Sequence, residues 1–432
     1  MSIKLINLLE ISINIIVNKL IMWPFYYPII FSMKRVGASK RVKYNGITLL
    51  ALNIGRFRGD LEVLANLGFR VYLMPYSWQT RIFYAYKDRD LKDKFMMPEA
   101  GSGIFKDRIR VIKYLSSLMR LLVQKKEINC VISAGLFYNQ DFDWGAATKN
   151  IGVPYIVFHR ENLVVSKHLY MHYVNKAKFL NKIGFIGTSI VFQNKVVKSI
   201  FDKYSGVNSE NIFALGSLRM DDYIDKVRSN KNLKKNNRIT LFSFPSSNAI
   251  LSGHYNDNFG WYKLHDKVHT SFVELAIENP GIDFVIKHKG VNWSKTKFLL
   301  ENLDAYNIRN LYIYDLSYDS QKLILTSDVV TGFCSTSLLE AAIAEKPVIY
   351  PLFSEAADEQ YRDFVCFDNA SNIFDIATNS KDFKKIIIEK YNKPEISKKS
   401  KELRVLQFEE QVSSIVSNAS SEYSKILKDA CI

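Results

Sequence analysis

The chain has 432 residues, a length typical of two domains rather than one. Its 59 Lys and Arg residues outnumber its 43 Asp and Glu residues, which gives a net charge of +16 and a pI of about 9.4. Hydrophobic residues make up 47% and charged residues 24%, which excludes a disordered chain, a collagen-like chain and a small disulfide scaffold. The positive charge favours contact with an anionic surface, either lipid or a polyanionic substrate.

The N-terminal segment, residues 1–45, begins with a very apolar stretch that Glu10 and Lys19 interrupt and that Pro24 and Pro28 follow. The run of about 20 apolar residues that spans a bilayer is therefore missing. No small-residue cleavage site of a secretory signal follows either. The pattern predicts a helix that packs on the protein or one that lies on a membrane surface.

Residues 46–227 alternate between apolar runs typical of buried strands and patterns typical of helices. This rhythm predicts a parallel sheet with right-handed crossovers. The predicted strands lie at 47–53, 69–76, 129–135, 154–162 and the start of 184–206, and a basic amphipathic helix covers about 104–126.

A polar, basic segment at 228–238 is typical of a linker. The rhythm then restarts over 239–380, and a Lys-rich helical tail follows at 381–432. We therefore predict an α/β protein with two Rossmann-like domains facing a central cleft, where ligands bind at the carboxyl ends of the strands. The predicted strands of the second domain lie at 238–245, 284–290, 311–315, 328–333 and 347–353.

The four cysteines are far apart in the sequence and form no CxxC pair and no Cys/His cluster. This spacing suggests neither a structural zinc site nor a disulfide framework. We therefore expect a reducing cytoplasm. The residues are Cys130, Cys334, Cys366 and Cys431.

The segment 331–353 carries the strongest chemical pattern. After a predicted strand, Ser335, Thr336 and Ser337 stand at the opening turn of a helix. Their hydroxyls, the backbone N–H groups of that turn and the helix dipole together suit a phosphate group. Glu340 lies near enough to accept hydrogen bonds from sugar or ribose hydroxyls. A helix that these residues merely cap is an equally open interpretation.

The triplet His159, Arg160 and Glu161 follows a predicted strand of the first domain at its carboxyl end. Glu161 is our candidate general base or acid, with His159 as a second catalytic candidate. Arg160 is a candidate for holding an acidic acceptor or a phosphate. An ion pair or a helix cap would explain the triplet without a catalytic role.

Asp221 or Asp222, in the run that starts at Arg219, is a candidate nucleophile or general base, and the sequence does not decide which of them faces the cleft. Asp221 paired with Glu161 would supply the two carboxylates of a double-displacement reaction. A structural pairing with Arg219 is the alternative.

Lys287 and Lys289 stand at the end of a predicted strand of the second domain, and alternation would point both to one side. They are candidates for neutralising a donor phosphate or a sugar carboxylate, although a solvated basic strand end fits the pattern too. Arg56, after the first strand, and His265, in a long loop segment, are candidates for contacting the acceptor.

Two nucleotide-binding motifs are missing from the sequence. There is no GxxxxGK[ST] phosphate loop, and no GxGxxG follows the first strand, which argues against P-loop and dinucleotide redox enzymes. The triplet Asp88-Arg89-Asp90 has DxD spacing, but its central Arg disfavours a metal ion, so we predict a metal-independent reaction with no cofactor beyond a nucleotide-sugar donor.

Two segments together resemble GT-B-type glycosyltransferases. One is the hydroxyl, Glu and Lys-Pro pattern of 331–353, and the other is 191–222, which ends in a Gly-x-x-Arg-x-Asp pattern. The resemblance covers about residues 45–380 and implies an enzyme that moves a sugar from a nucleotide to an acceptor. CDP-glycerol polyol-phosphate transferases have a similar turn, with Pro where this chain has Leu218.

The same segments, with the His-Arg-Glu triplet and the Lys-x-Lys strand end, look most like capsule and lipopolysaccharide transferases that use CMP-Kdo. That resemblance implies transfer of Kdo to a lipid-linked glycan by a cytoplasmic enzyme held peripherally at the inner membrane surface, without nucleic acid. UDP- or GDP-hexose donors stay open. So do a CDP-polyol phosphotransferase, a nucleotide-sugar 2-epimerase and a non-enzymatic protein that binds anionic membranes or nucleic acid.

Overall fold

The computed structural model describes residues 26–38, 42–52, 54–57, 59–84, 100–160, 163–229, 236–247, 260–290, 293–367 and 370–431. The chain divides into two compact units. Unit 1 comprises Met1–Asn162, Lys176–Asp221 and Asn418–Ile432, and unit 2 comprises Leu163–Asn175 and Asp222–Ser417.

Unit 1 contains a seven-stranded sheet in the order β1-β3-β2-β4-β5-β6-β7, parallel except for the edge strand β1, which is antiparallel to β3. Every residue of β2, β4, β5 and β6 is buried, as expected of a parallel sheet covered on both faces. The strands are β1 Lys34–Arg35, β2 Thr48–Ala51, β3 Arg70–Leu73, β4 Cys130–Ser133, β5 Tyr155–His159, β6 Ser189–Phe192 and β7 Ile212–Ala214.

Unit 2 contains a six-stranded, wholly parallel sheet in the order β10-β9-β8-β11-β12-β13. This is the strand order 3-2-1-4-5-6 of a Rossmann fold. The strands are β8 Arg238–Phe242, β9 Asp283–Lys287, β10 Leu311–Tyr314, β11 Val329–Gly332, β12 Val348–Pro351 and β13 Asp375–Ala377.

Helices connect the strands in both units, so the predicted alternation of strand and helix is confirmed. The α-helices, in chain order, are α1 Tyr26–Ser32, α2 Asp60–Asn66, α3 Tyr76–Tyr84, α4 Gly103–Lys126, α5 Asn139–Lys149, α6 Lys167–Ile183, α7 Lys195–Tyr204, α8 Met220–Ser229, α9 Tyr262–Glu278, α10 Trp293–Asn302, α11 Ser320–Leu325, α12 Thr336–Ile343, α13 Ala370–Ile373, α14 Ser380–Asn392, α15 Lys398–Gln411 and α16 Ala419–Cys431. Short 3-10 helices lie at Ile54–Arg56, Ser209–Asn211, Ala305–Asn307, Ser354–Ala357 and Glu359–Phe364.

The last helix, α16, packs on unit 1, whereas α14 and α15 belong to unit 2. Tyr423 and Leu427 of α16 lie in the hydrophobic core of unit 1, and the Tyr423 hydroxyl donates to the Gly216 carbonyl oxygen at 3.0 Å. The tail predicted at 381–432 is therefore divided between the two units. Of the predicted linker at 228–238, residues 230–235 lie outside the described residues.

A disulfide joins Cys334 to Cys366, so the expectation that the cysteines form no disulfide is wrong. The two cysteines are 32 residues apart in the sequence, and no short sequence motif predicts their pairing. Cys334 directly follows β11, and the bond ties the β11–α12 turn to the segment that follows the last 3-10 helix. Disulfides are typical of oxidising compartments, so this bond does not favour the reducing cytoplasm that the spacing suggested.

Candidate functional site

The strand order of unit 2 defines one position on its sheet where ligands of Rossmann-like proteins bind. The chain runs outward from β8 through β9 to β10 and then returns to β11 on the other side of β8. A crevice forms outside the carboxyl ends of the two strands at such a reversal. Gly332 ends β11, and a Cβ there would lie 2.9 Å from the Phe242 carbonyl oxygen, so glycine allows the two strand ends to approach closely.

The candidate phosphate-binding residues stand at this position, in the β11–α12 turn. Cys334 adopts a left-handed conformation (φ 48°), and Ser335 then caps α12, with its Oγ accepting a hydrogen bond from the Ser337 N–H at 3.3 Å. Thr336 is partly exposed, whereas Ser335 and Ser337 are nearly buried. The structure thus places the three hydroxyls at the N-terminus of a helix, where the dipole favours an anion. Their role in binding stays a prediction.

Glu340 lies on the buried side of α12, with only 3% of its surface exposed. Its backbone carbonyl oxygen accepts a hydrogen bond from the buried Tyr223 hydroxyl at 2.7 Å, which ties α12 to α8. The predicted contact of Glu340 with a ribose or sugar hydroxyl is not tested by this arrangement and stays a prediction.

The two lysines predicted at the end of β9 differ in their surroundings. Lys287 is the last residue of the strand and is buried, and its ammonium group donates to the backbone carbonyl oxygens of His288 and Asp315. Burial lowers the pKa of Lys287 below its ordinary value. Lys289 is exposed. Because β9 ends at Lys287, the alternation that was expected to align the two side chains does not extend to Lys289.

An aromatic pocket lies along β10 and reaches the carboxyl ends of β9 and β10, and it has a volume of about 640 Å³. The imidazole of His288 stacks on Trp293 with 3.6 Å between ring centroids, and Tyr314 stacks on Tyr318 at 4.2 Å. Lys297 and Asp315 add one positive and one negative charge to the lining. Such a pocket suits a planar base or the apolar face of a sugar ring. No local sequence pattern indicates this pocket, because its lining comes from α10, β10, the 3-10 helix before β10 and the adjoining loops.

A cluster of polar side chains lies between the residue that follows β8, Ser243, and helix α9. Ser243 Oγ lies 2.9 Å from His269 Nε2, and His269 Nδ1 lies 2.7 Å from the His265 carbonyl oxygen. The ring nitrogens of His265 lie 2.8 Å from Thr296 Oγ1 and from a carboxylate oxygen of Asp266. Burial lowers the pKa of His265 to about 4 and that of His269 to about 3. His265 is fully buried, so in this structure its side chain is not accessible to the acceptor that it was predicted to contact.

In unit 1, His159 is the last residue of β5 and Arg160 follows it, and both are nearly buried. Arg160 lies 3.0 Å from the carboxylate of Asp60, which burial gives a raised pKa despite the opposing charge of Arg160. The Nδ1 atom of His159 accepts a hydrogen bond from the Leu136 N–H at 3.3 Å, so a proton of a neutral His159 ring is on Nε2. Glu161, the predicted general base, lies outside the described residues.

Asp221 has a structural contact that the sequence did not reveal. Its carboxylate accepts hydrogen bonds from the backbone N–H groups of Ala419 at 3.2 Å and Ser420 at 2.7 Å. It therefore caps the first turn of α16, about 200 residues away in sequence. Its predicted role as nucleophile or base is not tested.

Arg56 lies in the 3-10 helix that follows β2, at the point where the strand order of unit 1 reverses between β2 and β4. It is exposed, and its guanidinium group lies over the ring of Tyr138, 5.5 Å from the centroid. This position agrees with a ligand contact at the carboxyl edge of the sheet, which stays a prediction.

Two kinds of feature are not found in the described part of the chain. No group of three or more His, Cys, Asp or Glu side chains among the described residues is placed to hold a metal ion. None of the described helices combines the length and apolarity needed to cross a bilayer.

Comparison with known structures shows the fold. The chain resembles a putative UDP-N-acetylglucosamine 2-epimerase from Listeria monocytogenes with 12% identity and a TM-score of 0.52, over 90% of this chain and 96% of that one. A UDP-GlcNAc 2-epimerase from Neisseria meningitidis gives 14% identity and 0.48, over 89% and 99% of the two chains. A glycosyltransferase from Rickettsia africae gives 15% and 0.46, over 90% and 99%.

No protein-family model matches the sequence, and no curated protein matches it. The likeness to the Listeria structure therefore shows the fold alone. The fold is α/β, with two Rossmann-like parallel sheets as in GT-B proteins, and this part of the prediction is confirmed.

Proposed function

We propose that this protein is a glycosyltransferase that binds a nucleotide sugar at the carboxyl edge of the unit 2 sheet. One observation carries the proposal: a hydroxyl-bearing helix N-terminus follows β11 at the reversal of the strand order. The start of α12 would hold the donor phosphate through Ser335 and Ser337 and the helix dipole. The fold is shared with a putative 2-epimerase of a nucleotide sugar, which agrees with this class of substrate.

The aromatic pocket supports a planar nucleobase or a sugar ring as the second part of the ligand. It lies along β10, and its lining reaches from Leu311 at the start of the strand to Tyr314 and Tyr318 at the carboxyl edge of the sheet, the edge that also carries the start of α12. Stacking on Trp293 or Tyr318 would contribute about 1–3 kcal/mol per ring. The phosphate and the ring of one nucleotide would thus use the same edge of one sheet.

The proposed chemical step uses residues at the carboxyl end of β5. Glu161 is the proposed general base for the acceptor hydroxyl, and His159 is the proposed second proton carrier. Arg160 is already paired with Asp60, so its proposed contact with an acidic acceptor would have to share that ion pair. The proposed reaction is metal-independent, because the central Arg of Asp88-Arg89-Asp90 disfavours a metal ion at that DxD triplet. Full activity in excess chelator is the matching test.

The proposed acceptor is lipid-linked, and a basic face of α4 supports an anionic membrane surface as its location. Lys106, Lys113 and Arg120 are exposed at seven-residue spacing, which aligns them along the helix. Phe31 of α1 is 81% exposed, and α1 packs on α4 through the stacked rings of Tyr26 and Tyr114. Basic residues that flank exposed apolar ones favour anionic lipid, at about 1 kcal/mol for each basic residue.

Vesicle sedimentation tests the membrane proposal. The parent should pellet with vesicles of phosphatidylglycerol and not with phosphatidylcholine alone. The triple variant Lys106→Glu, Lys113→Glu and Arg120→Glu should lose most of that binding. A control that reverses three exposed lysines elsewhere should keep it, and equal loss in both would contradict a specific face. The control changes are Lys381→Glu, Lys398→Glu and Lys399→Glu.

The donor sugar proposed in most detail is Kdo, from CMP-Kdo. Its carboxylate would meet Lys289, which is exposed, rather than Lys287, which is buried. UDP- and GDP-sugars are the other donors of the same class, and CDP-polyol donors would need the same phosphate site.

Product analysis separates transfer from epimerisation. The protein is incubated with each nucleotide sugar in turn, with and without a bacterial lipid extract as acceptor, and the sugar signals are followed by proton NMR. Release of the nucleotide that requires the extract supports transfer. Inversion at C2 of the sugar without any acceptor would replace transfer with 2-epimerisation.

A further inference from the structure

The carboxyl end of β8 carries a serine whose hydroxyl proton is fixed by two buried histidines. Ser243 directly follows the strand and is partly exposed, and its Oγ lies 2.9 Å from Nε2 of His269. Nδ1 of His269 lies 2.7 Å from the backbone carbonyl oxygen of His265, one turn earlier in α9. These two contacts together determine the direction of the Ser243 hydrogen bond.

A carbonyl oxygen can only accept a hydrogen bond, so Nδ1 of His269 carries the proton of the ring. In the neutral imidazole, Nε2 then has a lone pair and accepts. Ser243 must therefore donate its hydroxyl proton to His269. Burial lowers the pKa of His269, which keeps the ring neutral near pH 7. The backbone N–H of Ser243 is also committed, because it donates to the Lys287 carbonyl oxygen at 2.9 Å.

What remains on Ser243 for a ligand is a pair of oxygen lone pairs. A phosphate oxygen also offers only lone pairs and would be repelled, whereas a hydroxyl or an amide N–H would be bound. The location matters because β8 is paired with β11, the strand that leads into the capped start of α12. Next to Ser243, the ring of Phe244 contacts that of Phe333, the residue after β11, with 5.3 Å between centroids.

We infer that Ser243 is a hydrogen-bond acceptor for a hydroxyl or amide group on the sugar of the bound nucleotide sugar, and that His269 is the positioning residue that fixes its polarity. This assignment rests on the proposed function. It divides the site chemically: the start of α12 binds the anionic part of the ligand, and Ser243 binds a neutral donor group. Ser243 is not assigned a nucleophilic role, because a histidine that stays neutral well below pH 7 is too weak a base to remove its proton.

Calorimetric titration with matched ligand pairs tests the contact. The pairs are UDP with UDP-N-acetylglucosamine, GDP with GDP-mannose, and CMP with CMP-N-acetylneuraminate, and the pair that the parent binds is carried forward. Ser243→Ala should raise the Kd of the nucleotide sugar about tenfold, the cost of one hydrogen bond, and leave the Kd of the plain nucleotide unchanged. Equal losses for both ligands would place Ser243 on the phosphate, and no loss for either would remove it from the site.

Two variants of His269 test the positioning role. His269→Gln retains an oxygen that can accept the Ser243 proton, so nucleotide-sugar affinity should stay close to that of the parent. The phenylalanine of His269→Phe cannot accept the Ser243 proton, so the hydroxyl is no longer fixed as an acceptor, and affinity for the nucleotide sugar should fall, by no more than in Ser243→Ala. If His269→Phe bound the nucleotide sugar as tightly as the parent does, the positioning role of His269 would be contradicted.

A measurement on the unmodified protein covers the case in which a buried variant fails to fold. Nitrogen-15 NMR of labelled histidines reports which ring nitrogen carries the proton, and His269 should show the Nδ1–H tautomer. An Nε2–H tautomer would overturn the inference, whether or not any nucleotide binds. If the parent binds no ligand of the panel, the proposed function fails, while the tautomer still decides the polarity of Ser243.

Discussion

Acidification should destabilise unit 2 through its buried histidine pair. Burial lowers the pKa of His265 to about 4 and that of His269 to about 3, from 6.5 in an unfolded chain. Because the folded values are lower, the unfolded state binds the protons first as the pH falls. The stability that these residues contribute is therefore present above pH 6.5 and is lost below it.

The magnitude follows from those pKa values. Between pH 7.5 and pH 5.5, each histidine of the unfolded state becomes about 90% protonated, while the folded pair stays neutral. The loss in free energy of unfolding is about 1.4 kcal/mol for each histidine and about 2.7 kcal/mol for both. Asp143, in unit 1, has a pKa raised to about 6 by burial and acts in the opposite direction, so the histidine contribution is measured as a difference between variants.

The assay is urea unfolding at the two pH values, followed by circular dichroism. Between pH 7.5 and pH 5.5 the free energy of unfolding should decrease in both proteins. The decrease should be about 1.4 kcal/mol smaller in His269→Gln than in the parent, because the variant lacks one of the two buried histidines. A control variant, His172→Gln, replaces a partly exposed histidine of α6 and should keep the full decrease. If the parent and His269→Gln lost the same free energy, the assignment of His269 as a buried neutral ring would be refuted.

Three further outcomes are expected. Asp221→Ala should lower the free energy of unfolding by about 1–2 kcal/mol, because it removes the cap of α16, and Asp221→Asn should lower it less. Loss of turnover without loss of stability would instead favour a catalytic role for Asp221. Cys366→Ser should lower the free energy of unfolding by up to about 4 kcal/mol, because it removes the disulfide that closes the chain segment between Cys334 and Cys366. Four reactive thiols in the unreduced, denatured parent would contradict the disulfide. Glu161→Gln should abolish sugar transfer and keep nucleotide affinity within a few-fold of the parent, and full transfer activity would remove Glu161 from the mechanism.

The sequence predicted the fold well because buried parallel strands are continuous apolar runs, which are visible without tertiary information. The predicted strands at 129–135 and 328–333 contain the observed β4 and β11. Strand ends were less accurate: the predicted segment 154–162 begins one residue before β5 and extends beyond its last residue, His159. The edge strand β1 was missed because its two residues, Lys34 and Arg35, are exposed and show no strand pattern.

The candidate site was predictable where one local pattern specified it, as in the serine-capped start of α12. It was not predictable where residues distant in sequence meet. Asp221 reaches α16, Ser243 reaches His269, and Cys334 reaches Cys366, and no local pattern predicts any of these contacts. Burial of His265 was missed for the same reason, because its surroundings come from α10 as well as α9.

The central claim is that unit 2 binds a nucleotide, and a thermal-shift series with millimolar CMP, CDP, UDP, GDP and ADP tests it most directly. A ligand present at about 100 times its Kd should add about 2.7 kcal/mol of stability. We expect one nucleotide to stabilise the protein selectively, and the double variant Ser335→Ala and Ser337→Ala to lose that effect. CMP would favour the ulosonic-acid donor, UDP or GDP a hexose donor, and CDP a polyol donor. A parent protein that none of the five nucleotides stabilises would contradict the account.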